Sequence, residues 1–250
     1  MSTNRVPFYS RGFQLPNMLR PAVSSMMEKT VGRVDFERPA KGLASIASWI
    51  RFSRWCRMHP VAEENGSEIT KDRGWLYDFV IRNEGMEREP IQYMEFGVYQ
   101  GTSMRWWINR IGHEESRFVG FDTFTGLPEH WRATEPMGAF DAGGKLPDIK
   151  DARCQFEVGL FQDTLPAFLK RTDFRGRLVI NLDADLYSST LFVLTTLATR
   201  LKRGDILFFD EFSNPMDEFR AFEEFTRSFR VRYEVLGALH GHTYVAIKIV

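Results

Sequence analysis

The chain is poor in everything that would place it outside a reducing compartment or across a membrane. Of its 250 residues only Cys56 and Cys154 are cysteines, too few for a disulfide framework. No apolar run approaches the ~20 residues of a membrane span. No apolar segment near Met1 resembles a secretory leader, so the expected location is the cytoplasm. Charge of one sign is missing as well: 33 Lys and Arg face 33 Asp and Glu. That balance offers no general attraction to nucleic acid or to a membrane surface, and neither is expected as a partner. Internal repeats and low-complexity tracts are absent. So is a dinucleotide fingerprint, because Tyr99 stands where its second glycine is required.

What is there is an ordinary globular composition with a local imbalance. Hydrophobic residues make up 43% and charged residues 26%, as in a soluble domain. The length suits one domain with an elaboration. Residues 1–60 hold ten Lys and Arg against Glu28, Asp35 and Glu37, a local net of +7, and the remainder carries −7. A solvated N-terminal face accounts for this. The sharper alternative packs the basic segment near an acidic site or against a second subunit. The same apolar, basic arm points to a homo-oligomer.

Residues 1–40 carry Pro7, Pro16, Pro21 and Pro39, too many for one long helix. Leu43, Ile46, Ala47 and Ile50 recur at helical spacing over 41–58, and Trp75, Leu76, Phe79 and Val80 do so over about 68–83. Strands then alternate with helices. Strands are expected at 91–98, 117–121, 153–159, near 178–183 and from 204. Helices are expected at 102–111, 164–171 (capped by Asp163 or Thr164), 189–202 and 216–229. A hairpin closes the chain at 231–237 and 242–249. That order predicts an α/β, doubly wound, mostly parallel sheet. A division follows: residues 1–85 as an N-terminal arm with helices, residues 86–250 as the main domain. The connection 123–150 is long and rich in Gly and Pro, as a lid would be.

The stretch that organises the rest is Ile180-Asn181-Leu182-Asp183-Ala184-Asp185. A buried strand runs into two carboxylates. One helix later, Ile206-Leu207-Phe208-Phe209 ends at Asp210 and Glu211. If the two strands are neighbours, four carboxylates converge at the strand ends where such sheets bind ligands. A cation or protons must then hold them together. A divalent metal beside a nucleotide-type cofactor is the reading.

The first strand leaves through Glu95-Phe96-Gly97-Val98-Tyr99-Gln100-Gly101-Thr102-Ser103. A glycine-bearing turn lets a ligand approach the backbone and the next helix. A pyrophosphate would be crowded by Tyr99. A small ligand with an ammonium and a carboxylate would not. Asp122 ends the second strand at the distance expected of a ribose-binding acid. Phe124 and Phe161 are placed to flank an adenine. His240 and His242 alternate like a ligand pair but have no third partner in sequence. His113 and His130 lie in turns. His130, Trp131, Phe140 and Asp141 belong to the lid candidate, as substrate wall or as loop packing. The phenylalanines of 219–229 read as core.

These segments, together with Gly120-Phe121-Asp122-Thr123-Phe124-Thr125-Gly126-Leu127-Pro128 and Gly159-Leu160-Phe161-Gln162-Asp163-Thr164-Leu165-Pro166, resemble the macrocin O-methyltransferase (TylF-type) family. The resemblance covers about residues 90–215, with four motifs in order. It implies a class I methyltransferase: a Rossmann-like, seven-stranded sheet with an antiparallel C-terminal strand and an N-terminal helical extension. It implies S-adenosylmethionine and Mg²⁺, with Mn²⁺ equally admissible to oxygen ligands. Glu95, Gly97 and Ser103 would hold the methionine end of the cofactor and Asp122 the ribose. Phe124, Phe161 and Asp163 would border the adenine. Asp183, Asp210 and Glu211 match the family's metal ligands, and Asp185 its general base. Two departures stand out: Ala184 replaces the usual glycine, and Glu211 the usual second aspartate.

The expected activity is methyl transfer to a hydroxyl of a small molecule, a sugar or vicinal diol of a natural product. A hard cation would acidify and orient the diol, and Asp185 would take the proton. Two alternatives stay open. Asp183-x-Asp185 also suits a metal-dependent nucleotide-sugar glycosyltransferase. A non-catalytic cofactor-binding subunit is the third reading.

Overall fold

Seven strands form one sheet in the computed structural model, which describes residues 37–60 and 73–250. The proline-broken arm up to residue 36 and the start of the second amphipathic stretch, 68–72, lie outside the described residues. In chain order the elements are α1 (Glu37–Met58), α2 (Arg73–Asn83), a 3₁₀ turn (Met86–Arg88), β1 (Ile91–Phe96), α3 (Thr102–Arg110), β2 (Arg117–Asp122) and β3 (Cys154–Val158). Then follow α4 (Phe161–Arg171), β4 (Arg177–Leu182), α5 (Tyr187–Leu197), β5 (Ile206–Phe209), α6 (Glu218–Ser228), β6 (Tyr233–Leu239) and β7 (Tyr244–Ile249). The chain divides into two compact units, 1–47 and 48–250. The second takes in α2 and the approach to β1 together with the sheet. No described helix is long and apolar enough to cross a membrane.

The strand order is β3-β2-β1-β4-β5-β7-β6. β3, β2, β1, β4 and β5 pair parallel. β7 runs antiparallel to β5 and to β6. This is the expected doubly wound sheet with its reversed closing strand.

β1, β4 and β5 are buried almost throughout, as strands covered on both faces must be. Alternate side chains serve opposite faces. Met94, Phe96, Ile180, Leu182, Leu207 and Phe209 pack with α4, α5 and α6, joined by Phe52 and Trp55 of α1. Tyr93, Phe118, Val179, Ile206 and Phe208 pack with α2 and α3. Each fully buried large side chain contributes about 1.5–3 kcal/mol. Phe219, Phe222 and Phe225 of α6 belong to the first layer, so that helix is core, as read.

One boundary differs instructively. The fourth helix begins at Phe161 rather than Thr164. Leu160 is its N-cap, without a side-chain cap bond. The Phe161 ring packs edge-on against Phe96 at 5.3 Å. That contact draws the start a turn earlier and leaves Pro166 inside the helix, beyond the opening turn where a missing N–H costs nothing.

Candidate active site

The motifs meet at the carboxyl ends of β1 and β4. These strands are neighbours because the chain builds outward to β3 and then returns to β1's other side. A crevice opens at that switch point. Here it is a cavity of about 340 Å³.

Asp183 and Asp210 stand one residue beyond paired strands. The Asp183 N–H donates to Phe96 O at 2.9 Å, and the Asp210 N–H to Leu182 O at 3.1 Å. The ladder therefore carries both side chains to one spot, where Arg73 meets them both. Burial first, then Asp185 for Asp183 and Asp183 for Asp210, raise both carboxyls above the usual carboxylate range. The cation between them belongs to the chain itself. Arg73 Nη1, at the start of α2, donates to Asp183 Oδ2 at 2.7 Å and to Asp210 Oδ1 at 2.9 Å. Burial works against the charged guanidinium. The two aspartates outweigh it and hold Arg73 above its ordinary pKa.

Glu211 is drawn elsewhere. Its Oε2 accepts from Arg132 Nη2 at 3.0 Å, and that guanidinium also lies 3.6 Å over the Trp131 ring. Asp183, Asp210 and Glu211, expected as metal ligands, thus do not fit an ion as arranged. An arginine occupies the first two and another holds the third. Among the described residues no three His, Cys, Asp or Glu stand together as an ion cage.

Asp185 lines the same cavity and has a left-handed backbone, φ 59. The Leu186 N–H donates to Ala184 O at 2.6 Å, which closes a three-residue turn around it. Such a conformation strains a residue with a side chain and clusters at functional sites. The positive φ falls on Asp185 and not on Ala184, so position 184 does not require a glycine. Burial first, then Glu211 and Asp210, push the Asp185 carboxyl up to about 7.

At the other end the cavity is lined by Glu95, Gly97, Ser103, Asp122 and Phe161. Glu95 is 1% exposed and accepts from the Tyr93 hydroxyl at 3.1 Å. Burial first, then Asp183, hold its carboxyl well above the ordinary value. The buried Ser103 hydroxyl has no partner. Gly97 has φ +89, and a Cβ there would lie 1.8 Å from Asp183 O. Its lack of a side chain thus serves the approach of β1 to β4. Asp122 does more than line the wall. Oδ2 accepts from the Val98 and Tyr99 N–H groups at 2.7 and 2.8 Å, and Oδ1 from Phe124 N–H at 2.7 Å. Phe124 and Asp163 are not part of this wall. Phe124 is fully buried with its ring edge-on to Phe156, and Asp163 is exposed on the first turn of α4.

The connection 123–150 covers the cavity through Gly126, Leu127, Pro128, Trp131 and Phe140. Its Trp131 Nε1 donates to Asp217 Oδ2 at 2.9 Å, and Glu129 accepts from Ser188. His130 Nδ1 accepts from Met137 N–H at 3.3 Å within the loop. His242 bonds the His59 carbonyl at 3.0 Å, far from the ligand role weighed for it. Glu218, unmarked in the sequence, is fully buried. It accepts from Glu211 N–H at 3.0 Å, and its other oxygen is unpartnered. Burial and then Asp210 keep its carboxyl well above the ordinary range.

Strand order, reversed β7 and a crevice at the β1–β4 switch point define a class I methyltransferase fold. Residues 94–212 match the family model described as "Methyltransferase domain". A curated relative from Streptomyces olivaceus, 8-demethyl-8-(2,3-dimethoxy-alpha-L-rhamnosyl)-tetracenomycin-C 4'-O-methyltransferase, is 31% identical over 145 residues. The match covers 50% of this chain and 54% of that protein, so the chain spans about half the length of the relative. Among solved structures, the calicheamicin methyltransferase CalS11 has a TM-score of 0.53 at 21% identity, over 81% of this chain and 91% of its own. The O-methyltransferase NovP has 0.54 at 20%, over 73% and 82%. At that identity these two share the fold. The S. olivaceus relative supports the resemblance to the macrocin O-methyltransferase family carried by the four motifs.

Proposed function

We propose that the protein is an S-adenosylmethionine-dependent O-methyltransferase acting on a hydroxyl of a sugar or vicinal diol in a small natural product. The observation that carries this is one cavity joining Glu95 and Ser103 from the β1–α3 corner to Asp185 beyond β4. The relative's printed activity on a rhamnosyl group supports the sugar.

The residues fit the cofactor. Ser103 brings an unpartnered buried hydroxyl at the first turn of α3, where backbone N–H groups favour a carboxylate. Glu95 suits an ammonium, and Asp122 Oδ1, with one N–H donor, keeps a lone pair for a ribose hydroxyl. Phe161 gives an aromatic edge at the adenine end. When bound, the cofactor supplies a methyl group on a positively charged sulfur. Asp185 would accept the hydroxyl proton as the acceptor oxygen's bond to the methyl carbon forms and the methyl–sulfur bond breaks, leaving a neutral thioether. The loop residues Leu127, Trp131 and Phe140 wall the acceptor and exclude water.

Arg73 and Arg132 engage the carboxylates a metal ion would take. The glycosyltransferase alternative loses its footing in the fold and in the methyltransferase-domain match. Calorimetric titration with S-adenosylhomocysteine tests the reading: one site per chain is expected, and absence of binding removes it.

A further inference from the structure

We propose that Arg73 is the resident cation of the Asp183–Asp210 pair, and that the protein holds its acidic floor together with this guanidinium in place of a divalent ion. The proposal rests on the methyltransferase reading only for the use to which the floor is put. The cation's identity stands on geometry alone.

Two adjacent strand-end carboxylates need a positive partner, and the β4–β5 ladder makes their adjacency unavoidable. A single nitrogen, Arg73 Nη1, meets one oxygen of each, at 2.7 and 2.9 Å. Those are the lengths of charge-assisted bonds. An ion bridging the same two oxygens would compete with that nitrogen for them. The third expected ligand, Glu211, is 3.0 Å from Arg132 Nη2, so assembling a cage would break two ion pairs in separate parts of the chain. Arg73 is anchored from below: on the next turn of α2, Tyr77 is buried and donates to Asn181 Oδ1 of β4 at 3.0 Å. The same helix packs Leu76, Val80 and Ile81 into the second core layer. The guanidinium is thus delivered by a packed helix and not by a mobile surface chain. Arg73 also lines the main cavity, alongside Asp183, Asp185 and Asp210, and so faces the space an acceptor would enter.

The chemistry differs from that of a metal. A guanidinium orients oxygens through directional donors but is a weak Lewis acid. Proton removal therefore falls more heavily on Asp185, and Arg73 acts as a positioning residue for the floor.

The test reads Mn²⁺ binding by electron paramagnetic resonance in the presence of S-adenosylhomocysteine, with no acceptor and no turnover. The native protein is expected to leave Mn²⁺ free at concentrations up to about 1 mM. Arg73→Met, which keeps bulk and loses charge, is expected to bind one Mn²⁺ per chain at least about tenfold more tightly. Adding Asp210→Asn should abolish that gain. Tight one-to-one binding by the native protein overturns the proposal, as does a folded Arg73→Met protein that gains no binding. Should Arg73→Met fail to fold, Arg73→Lys replaces it: with its cation kept it should match the native protein, and a gain in Mn²⁺ binding would count against the proposal. Failure of the methyltransferase reading would show separately, as absent S-adenosylhomocysteine binding.

Discussion

The indole N–H of Trp131 reaches Asp217 across 86 positions of chain and bonds it at 2.9 Å. This ties the connection over the cavity to the segment just before α6. Trp131→Phe keeps an aromatic wall and removes the tether. A bond to a charged acceptor contributes about 1.5–3 kcal/mol. The acceptor KM should therefore rise roughly tenfold or more, while S-adenosylhomocysteine affinity stays within about twofold of native. Steady-state kinetics and calorimetry check the split. A parallel loss of cofactor affinity would show that the loop serves the cofactor instead.

Asp185→Asn removes the proton acceptor without changing size. Turnover should fall by about 10²–10⁴-fold with S-adenosylhomocysteine binding preserved. Single-turnover assays with labelled methyl donor give the answer. A near-native rate would take the base role from Asp185.

Gly97→Ala places a methyl group 1.8 Å from the Asp183 carbonyl oxygen at a backbone φ of +89. Strain of about 1–3 kcal/mol is expected, together with a shift of the strand ends. Denaturant midpoints should drop and cofactor affinity should weaken. A variant of native stability and affinity would mean that β1 and β4 can part there without consequence.

Stability should depend on His59. Burial lowers its pKa, against the bond from its ring to Trp55 O, and His242 adds to the lowering. The unfolded chain, with a pKa of about 6.5, then binds the proton more readily. This contribution is complete above about pH 6.5 and is lost as pH falls through that value toward the folded pKa. Urea midpoints compared between pH 7.5 and 5.5 should fall less for His59→Gln than for the native protein, a difference read in a range set by the about 6.5 midpoint. Equal falls would remove His59 from the account.

Much of the fold was legible because its signals are local. Apolar runs marked β1, β4 and β5, and carboxylates marked where they stop. The adjacency of Asp183 and Asp210 followed from two strands being neighbours, and the need for a cation from electrostatics alone. The cation itself was not legible. Arg73 sits in a polar stretch between Asp72 and Gly74, with no periodicity to single it out. Its role exists only through the packing of α2. Arg132 and Asp217 escaped for the same reason, each being defined by a partner far away in sequence. Glu218 looked like any acid near a helix start, and only its burial distinguishes it. The placing of Phe124 at an adenine came from its position after a strand, a rule that ignores which way a left-handed residue turns its ring.

The covering loop has a narrow neck. The Leu127 N–H donates to Ala139 O and the Gly138 N–H to Leu127 O, both at 2.9 Å, and Thr125 bridges Asp141. The residues between are closed off as a unit by these bonds. Length added within such a closed bight costs little, about 0.6 kcal/mol per doubling. The positions between can therefore vary at little cost to the sheet, except Trp131 and Arg132, whose side chains hold Asp217 and Glu211.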